Sequence, residues 1–197
     1  MRRDDLDADP IRQFDAWHAE ARAAGIPLAE ACAVASVSPD GRPSARMVLL
    51  KGTDERGFVF ATNYESRKGR ELDASPRAAL LFYWHTLGRQ VRVEGAVERV
   101  SPGESDAIFL ARPRASRISA LASRQSEPLA DRGELEARVE RLERELDGTE
   151  VERPKFWGGY RVVPDAIEVW QHDDNRLHQR FVYRRAGDGW TIEGLQP

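Results

Sequence analysis

The chain has 197 residues, 41% of them hydrophobic and 32% charged, with 30 basic and 33 acidic side chains for a net charge of −3. That composition describes a soluble globular chain, and the near-even balance excludes a global pull toward nucleic acid or an anionic membrane. Cys32 is the only cysteine, which excludes disulfides and cysteine-based metal sites within one chain. No apolar run is long enough to span a bilayer and the N-terminus lacks a signal-peptide core, so a cytoplasmic location is the expectation.

In chain order, Asp9-Pro10 opens a helix: Asp caps it, and Pro suits its first turn. Ile11, Phe14, Trp17 and Ala21 make its apolar stripe, and Gly25 ends it. Ala31 to Ser38 reads as a strand, Pro39 to Pro43 as a turn, and Ser44 to Lys51 as the returning strand. A turn at Asp54–Gly57 leads to a strand from Phe58 to Thr62. A short helix is expected from Ser66 to Asp73, then strands from Ala78 to Trp84 and from Gln90 to Val100. In the last of these Val91, Val93 and Val97 alternate with Arg92, Glu94 and Glu98. Helices follow from Ser101 to about Ala111 and from Ser116 to Ala122.

Asp131 to Leu146 carries the clearest helical pattern. Asp131 and Glu134 form a capping-box-like pair, Leu135, Val139, Leu142 and Leu146 share a stripe, and Glu134–Arg138 and Glu140–Arg144 are spaced as solvated ion pairs. The tail returns to strands at Tyr160–Val163, Ala166–Trp170, Arg180–Arg184 and Trp190–Glu193. Hairpin-like strands with helices between groups predict an α+β protein built on an antiparallel barrel or sheet. One domain over residues 1–197 is expected, since no repeat or linker divides the chain.

Four constellations bear on chemistry. Arg176, His178 and Arg180 sit at alternate positions after the apolar run Ala166–Trp170. If the stretch is a strand, all three share one face, where an anionic ligand would relieve their repulsion. Trp170 beside them is either a core side chain or a stacking surface for a flat heteroaromatic ring. In Thr62-Asn-Tyr-Glu-Ser-Arg-Lys-Gly69, a strand ends and a helix begins with adjacent Arg67 and Lys68. Cations there oppose the helix dipole, so the turn is either a phosphate site or a solvated basic corner. Arg46 and Lys51 bracket an apolar strand, and parity puts them on opposite faces. Finally, Arg112-Pro-Arg-Ala-Ser116-Arg117 and Arg124-Gln125-Ser126 set arginines among small hydroxyl residues, which suits phosphate oxygens. The aromatics that RNA stacking needs are missing there. No zinc spacing, nucleotide loop or nucleophile elbow is present, and His172-Asp173-Asp174 is a poor metal site because adjacent residues rarely converge on one ion.

Taken together, Arg46-Met-Val-Leu-Leu-Lys51, Thr62 to Lys68, Gly88 to Gly95, Arg112 to Ser116, Gln125-Ser126, Phe156-Trp-Gly-Gly-Tyr160 and Trp170…Arg176-Leu-His178 form a signature across Leu6–Pro197. On these segments the chain resembles the pyridoxamine 5'-phosphate oxidase family of FMN-dependent enzymes. The resemblance implies an antiparallel split β-barrel with peripheral helices, and a homodimer with FMN at its interface. It implies cofactor contacts from Arg46, Met47, Val48, Leu49, Leu50, Lys51, Thr62, Arg67, Lys68, Gln90, Gln125, Ser126, Trp170 and Arg180. It places the substrate phosphate near Lys51, Arg112 and Ser116, with Arg176, Leu177 and His178 closing over the substrate ring and Arg176 and His178 as the catalytic pair. The implied reaction oxidises pyridoxamine or pyridoxine 5'-phosphate to pyridoxal 5'-phosphate with O2 as acceptor, releasing H2O2. No metal, nucleic-acid or membrane partner is implied.

The chain departs from the family pattern in four places. Ile108 stands where a tyrosine hydroxyl usually meets the substrate phosphate. Ala61 replaces an aromatic beside the flavin. His172-Asp173-Asp174 replaces a Gly-rich stretch, and the chain starts late relative to the segment that folds over the substrate. These leave two alternatives open: an oxidase of a reduced heteroaromatic, as in the phenazine-biosynthesis branch, and a flavin-binding protein without turnover.

Overall fold

The computed structural model describes all of Met1–Pro197. Its strands are β1 (Ala31–Val37), β2 (Pro43–Asp54), β3 (Gly57–Asn63), β4 (Arg77–Trp84), β5 (Arg89–Arg99), β6 (Trp157–Gln171), β7 (Gln179–Ala186) and β8 (Gly189–Leu195). Their order is β3-β2-β1-β4-β5-β6-β7-β8, and a further β3–β6 pairing closes the first six into an antiparallel barrel. β7 and β8 continue from the second half of β6 as a flap. The helices are α1 (Pro10–Ala23), α2 (Arg67–Ala74), α3 (Pro102–Leu110), α4 (Arg114–Ala122) and α5 (Arg132–Glu145). The expected α+β split barrel is therefore the fold.

Period-two alternation decides which side chains fill the barrel. Cys32, Val34, Leu80, Phe82, Val91, Val93, Ile167 and Val169 are fully enclosed, while their neighbours in sequence face outward. α1 plugs one end. Asp9 accepts the Ile11 N–H at 2.8 Å to cap it, and Phe14 lies 4.9 Å from Phe58 and 4.8 Å from Phe82, both edge-on. Truncating a fully buried ring such as Phe14 to Ala costs about 3–5 kcal/mol. A smaller apolar cluster of Phe109, Ile118, Val151 and Trp157 joins α3, α4 and α5 to the barrel wall.

Three expectations are corrected. The strands expected at Tyr160–Val163 and Ala166–Trp170 are one continuous β6: Pro164 pairs with Gly95 at a register shift, so a bulge absorbs the break. Asn175–His178 is not a strand, and β7 begins only at Gln179. Asp173 accepts the Arg176 N–H at 3.1 Å and Arg176 has φ 66°, so a tight turn precedes β7 and the shared face of Arg176, His178 and Arg180 does not exist. On α5, Asp131 caps through the Gly133 N–H at 2.8 Å, with no return bond from Glu134. Arg138 does not pair with Glu134 but donates at 2.8 Å to the Ala122 carbonyl, because the free C-terminal carbonyls of α4 lie within its reach.

Candidate active site

A cavity of about 510 Å³ opens between the outer face of β2, the end of β3, the start of α2, and α4. Its basic lining residues are Lys51, Lys68 and Arg112, and no carboxylate lines it. A second hollow, of about 620 Å³ beside α1, mixes Asp5, Asp7 and Glu20 with Arg12 and Arg89, and those charges pair with one another. In the first cavity the cations have no carboxylate among the lining residues to pair with.

Lys68 is the inner cation. Ser66 caps α2 by accepting the Gly69 N–H, which turns Lys68, buried at 7% exposure, back toward the end of β3. Its Nζ donates to Thr62 Oγ1 at 2.8 Å and Gln125 Oε1 at 3.2 Å, all neutral acceptors. Burial, then the nearby Arg46 charge, pull this ammonium down to about 8, with Glu71 opposing them. At neutral pH it is still protonated.

Arg112 forms the outer wall. Its guanidinium stacks 5.0 Å over the Trp157 ring, its Nη1 is buried with no acceptor in the protein, and burial pushes its pKa down. An orphaned buried guanidinium nitrogen is costly and marks a place for an anionic oxygen. Lys51, exposed at a β-bulge between Leu50 and Gly52, and Ser116 on α4 share the cavity. Trp157 is held in place by its neighbour: a side chain at Gly158 would overlap the Tyr64 hydroxyl and Ser105.

Beneath α2 lies a buried carboxylate, Glu71, at 4% exposure. It accepts from Ser36 Oγ and Ser44 Oγ at 2.6 Å, Arg67 Nε at 2.8 Å and Arg46 Nη2 at 3.1 Å. Burial raises its pKa, but those four donors outweigh it and hold the carboxyl at about 2. Arg46 also donates to Ser36 and to the Val34 carbonyl, so most of its donors are engaged within the barrel wall. Arg67 bonds only through Nε and leaves its terminal nitrogens to solvent.

A second group of expected residues lies elsewhere on the outer face. Gln90 pairs with Trp170 and Trp170 with Arg180, which puts all three in one cross-strand row. The buried Glu168 accepts Arg180 Nε at 2.8 Å and lies 2.7 Å from Arg92 Nη2. The His178 ring sits 4.6 Å from the Trp170 ring and 5.4 Å from His172. Its Nδ1 accepts the Asp173 N–H at 3.1 Å, so a proton on a neutral ring resides on Nε2. The turn that presents Arg176 is docked on Gly88, whose φ is 58° and whose carbonyl accepts the His172 N–H at 2.7 Å.

Of the residues expected at the site, Met47, Val48, Leu49, Lys51, Thr62, Lys68, Arg112, Ser116 and Gln125 line the cavity. Leu50 faces the core, while Arg46 and Arg67 pair with Glu71 and are not among the residues that line the cavity. Ser126 is exposed at φ 76°. Gln90, Trp170, Arg176, Leu177, His178 and Arg180 belong to the second group, and none of them lines the cavity within one chain. Sequence reading missed Trp157 as a wall and Glu71 as an anchor. The spacing of Glu71 four residues after Arg67 was the available signal for the latter. Ile108 and Ala61 each pack against the cluster of Phe109, Ile118, Val151 and Trp157, and a Cβ on Gly159 would lie 3.5 Å from the Ile108 Cδ1.

Comparison with known proteins gives the chain its family. Residues 18–144 fit the family model described as pyridoxamine 5'-phosphate oxidase. Residues 157–197 fit the model of the pyridoxine 5'-phosphate oxidase C-terminal dimerisation region. A pyridoxine/pyridoxamine 5'-phosphate oxidase of Rubrobacter xylanophilus is 58% identical over 197 residues, covering 100% of this chain and 91% of the relative. The protein of that name from Gluconobacter oxydans is 52% identical over 193 residues, covering 98% and 96%. Among solved structures, PhzG from Burkholderia lata, in complex with tetrahydrophenazine-1-carboxylic acid, superposes with a TM-score of 0.93 at 35% identity, covering 98% of this chain and 95% of that one. The two family models together span most of the chain, relatives above 50% identity cover nearly all of it, and the chain belongs to the pyridoxamine 5'-phosphate oxidase family.

Proposed function

We propose that this chain is an FMN-dependent oxidase that converts pyridoxamine or pyridoxine 5'-phosphate to pyridoxal 5'-phosphate with O2 as acceptor. The observation that carries the reading is the carboxylate-free cavity with three cations, one of them the orphaned Arg112. Relatives at 52–58% identity bear this activity in their names.

The residues present fit a flavin mononucleotide. Lys68, buried among neutral acceptors, together with the free ends of Arg67 suits a phosphate dianion. Gln90 and Trp170 offer an amide and an aromatic face to a flat ring. Bound flavin supplies two-electron acceptance and reoxidation by O2, so that amine, O2 and water yield aldehyde, ammonia and H2O2.

The protein's part is placement and charge. Lys51, Arg112 and Ser116 hold the substrate phosphate at the cavity mouth. Arg176 orients the substrate ring, and His178 closes over it with Nε2 free to hold a proton. Positioning of this kind accounts for a large share of rate enhancement when the flavin carries the redox step.

A homodimer unites the two groups. Met47, Ala33 and Leu81 form one cross-strand row on the outer face, and Met47 is 64% exposed, Tyr83 54% and Leu81 38%. This apolar strip lies between the cavity and the Gln90–Trp170–Arg180 row. Burying it against a second copy brings the Arg176–His178 turn of one chain to the cavity of the other, with FMN at the interface and residues 1–197 acting as one domain.

The test is peroxide release by the FMN-loaded protein, offered pyridoxamine phosphate and pyridoxine phosphate separately. Aldehyde with equimolar peroxide is the expected result. A loaded protein inert to both would sink the reading. It would move the weight to a reduced fused-ring acid, which the Ile108 side chain favours because it gives a phosphate no hydroxyl, or to flavin binding without turnover.

A further inference from the structure

The cavity residues account for ligand contact, but not for why two arginines and a lysine stand together at one helix start. Adjacent cations repel, and the first helical turn is unfavourable to them. The group that offsets both is Glu71, one helical turn after Arg67. It gathers donors from three elements: Ser36 on β1, Ser44 and Arg46 on β2, and Arg67 on α2. It is itself shielded from solvent at 4% exposure, so it makes no direct contact with a ligand in the cavity.

Resting on the FMN reading above, we propose that Glu71 is the positioning residue of the phosphate end of the cofactor site. It fixes the Arg67 fork at the start of α2, next to Lys68 in the chain, so that the fork is set in advance for a phosphate. Two features of the geometry support this. Only Nε of Arg67 is bound to Glu71, which leaves the two terminal nitrogens unpaired, the donors that grip phosphate oxygens bidentately. Glu71 is itself held from the barrel side by Ser36, Ser44 and Arg46, so the fork it fixes is anchored to β1 and β2 as well as to α2.

The role predicts that Glu71 matters for the phosphate and not for the ring. The experiment measures dissociation constants of the apoprotein for FMN and for riboflavin, which lacks the phosphate, by quenching of flavin fluorescence. In E71A, FMN affinity is expected to fall at least tenfold and riboflavin affinity less than twofold, so that the FMN-to-riboflavin ratio collapses. E71Q keeps an acceptor for Arg67 without the charge and is expected to fall between wild type and E71A. It also serves if E71A does not fold. Because Glu71 acts through Arg67, adding E71Q to R67A should change FMN affinity less than twofold. A ratio unchanged in E71A and E71Q, even with both ligands bound more weakly, assigns Glu71 to folding alone and overturns the inference. So does full additivity of E71Q with R67A. A wild-type protein that does not prefer FMN over riboflavin would instead overturn the cofactor reading, and this inference with it.

Discussion

The cavity beside α4 and the row Gln90–Trp170–Arg180 differ in how they treat charge. In the cavity Lys68 meets only neutral acceptors and one Arg112 nitrogen meets nothing. In the row, Arg180 is already held by Glu168 at 2.8 Å and by the Gln196 carbonyl at 3.0 Å. One region is a concave, unsatisfied receptor. The other is a satisfied, flatter surface with aromatic rings and a presented turn. The contrast teaches that unpaired cations in a concave setting and paired charges beside aromatic rings are built separately in this fold, on opposite sides of an exposed apolar strip.

Single substitutions should separate the two. The largest effect is expected from Lys68→Met, which removes a buried charge-assisted contact. The loss of about 1.5–3 kcal/mol corresponds to roughly 10–150-fold weaker FMN binding, measured by fluorescence titration; a change under twofold would place the phosphate elsewhere. Arg112→Ala should raise KM for the phosphorylated substrate by about tenfold or more on the same basis, while FMN affinity holds. Loss of FMN instead would merge the two functions of the cavity.

Arg176→Ala should cut kcat/KM by about tenfold, as expected for a residue that orients the substrate, and leave FMN bound. Unchanged kinetics would remove Arg176 from the site. Because the two groups are expected to meet across a two-fold axis, mixing Arg112→Ala with Arg176→Ala subunits should regenerate about a quarter of wild-type activity. No recovery would show that each chain completes its own site.

The pH dependence follows from Lys68. Its folded value, about 8, is depressed, so the free protein loses this proton above pH 8 while a bound dianion favours keeping it. FMN affinity should therefore be steady just below pH 8 and weaken by up to about tenfold per unit above it. A flat profile to pH 10 would mean that Lys68 does not face the phosphate. The smallest effect belongs to Ile108→Tyr. A gained hydroxyl contact should lower KM for pyridoxine phosphate, but Ile108 already packs against the cluster of Phe109, Ile118, Val151 and Trp157, and overpacking costs about 1–3 kcal/mol of stability. An unchanged or higher KM would show that the ring cannot reach the phosphate.

Much of this was legible in the residues. The alternation of Val91 and Val93 against Arg92 and Glu94 marked a barrel wall, because side-chain direction in a strand depends only on parity. Asp9-Pro10, Ser66 and Ser101 marked helix starts, because capping is a local bond. The Thr62–Lys68 corner and the Arg112–Ser116 segment stood out by composition, and the fold brings Thr62, Lys68, Arg112 and Ser116 to one cavity. Local rules were not enough at Asn175–His178, where a period-two pattern left a strand open and Arg176 instead takes a left-handed turn. They failed at Pro164, which a bulge opposite Gly95 absorbs.

What the amino-acid order determined by itself was most of the elements, since periodicity and caps act over a few residues, and, through the resemblance of its signature segments, the family. What only the tertiary structure decided was partnership: that Glu71 holds Arg46, Ser36 and Ser44, that Trp157 backs Arg112, and that the cavity and the Trp170 row stand apart on one chain. Those outcomes depend on contacts between residues distant in sequence, which strand register and barrel closure bring together and which no local pattern encodes.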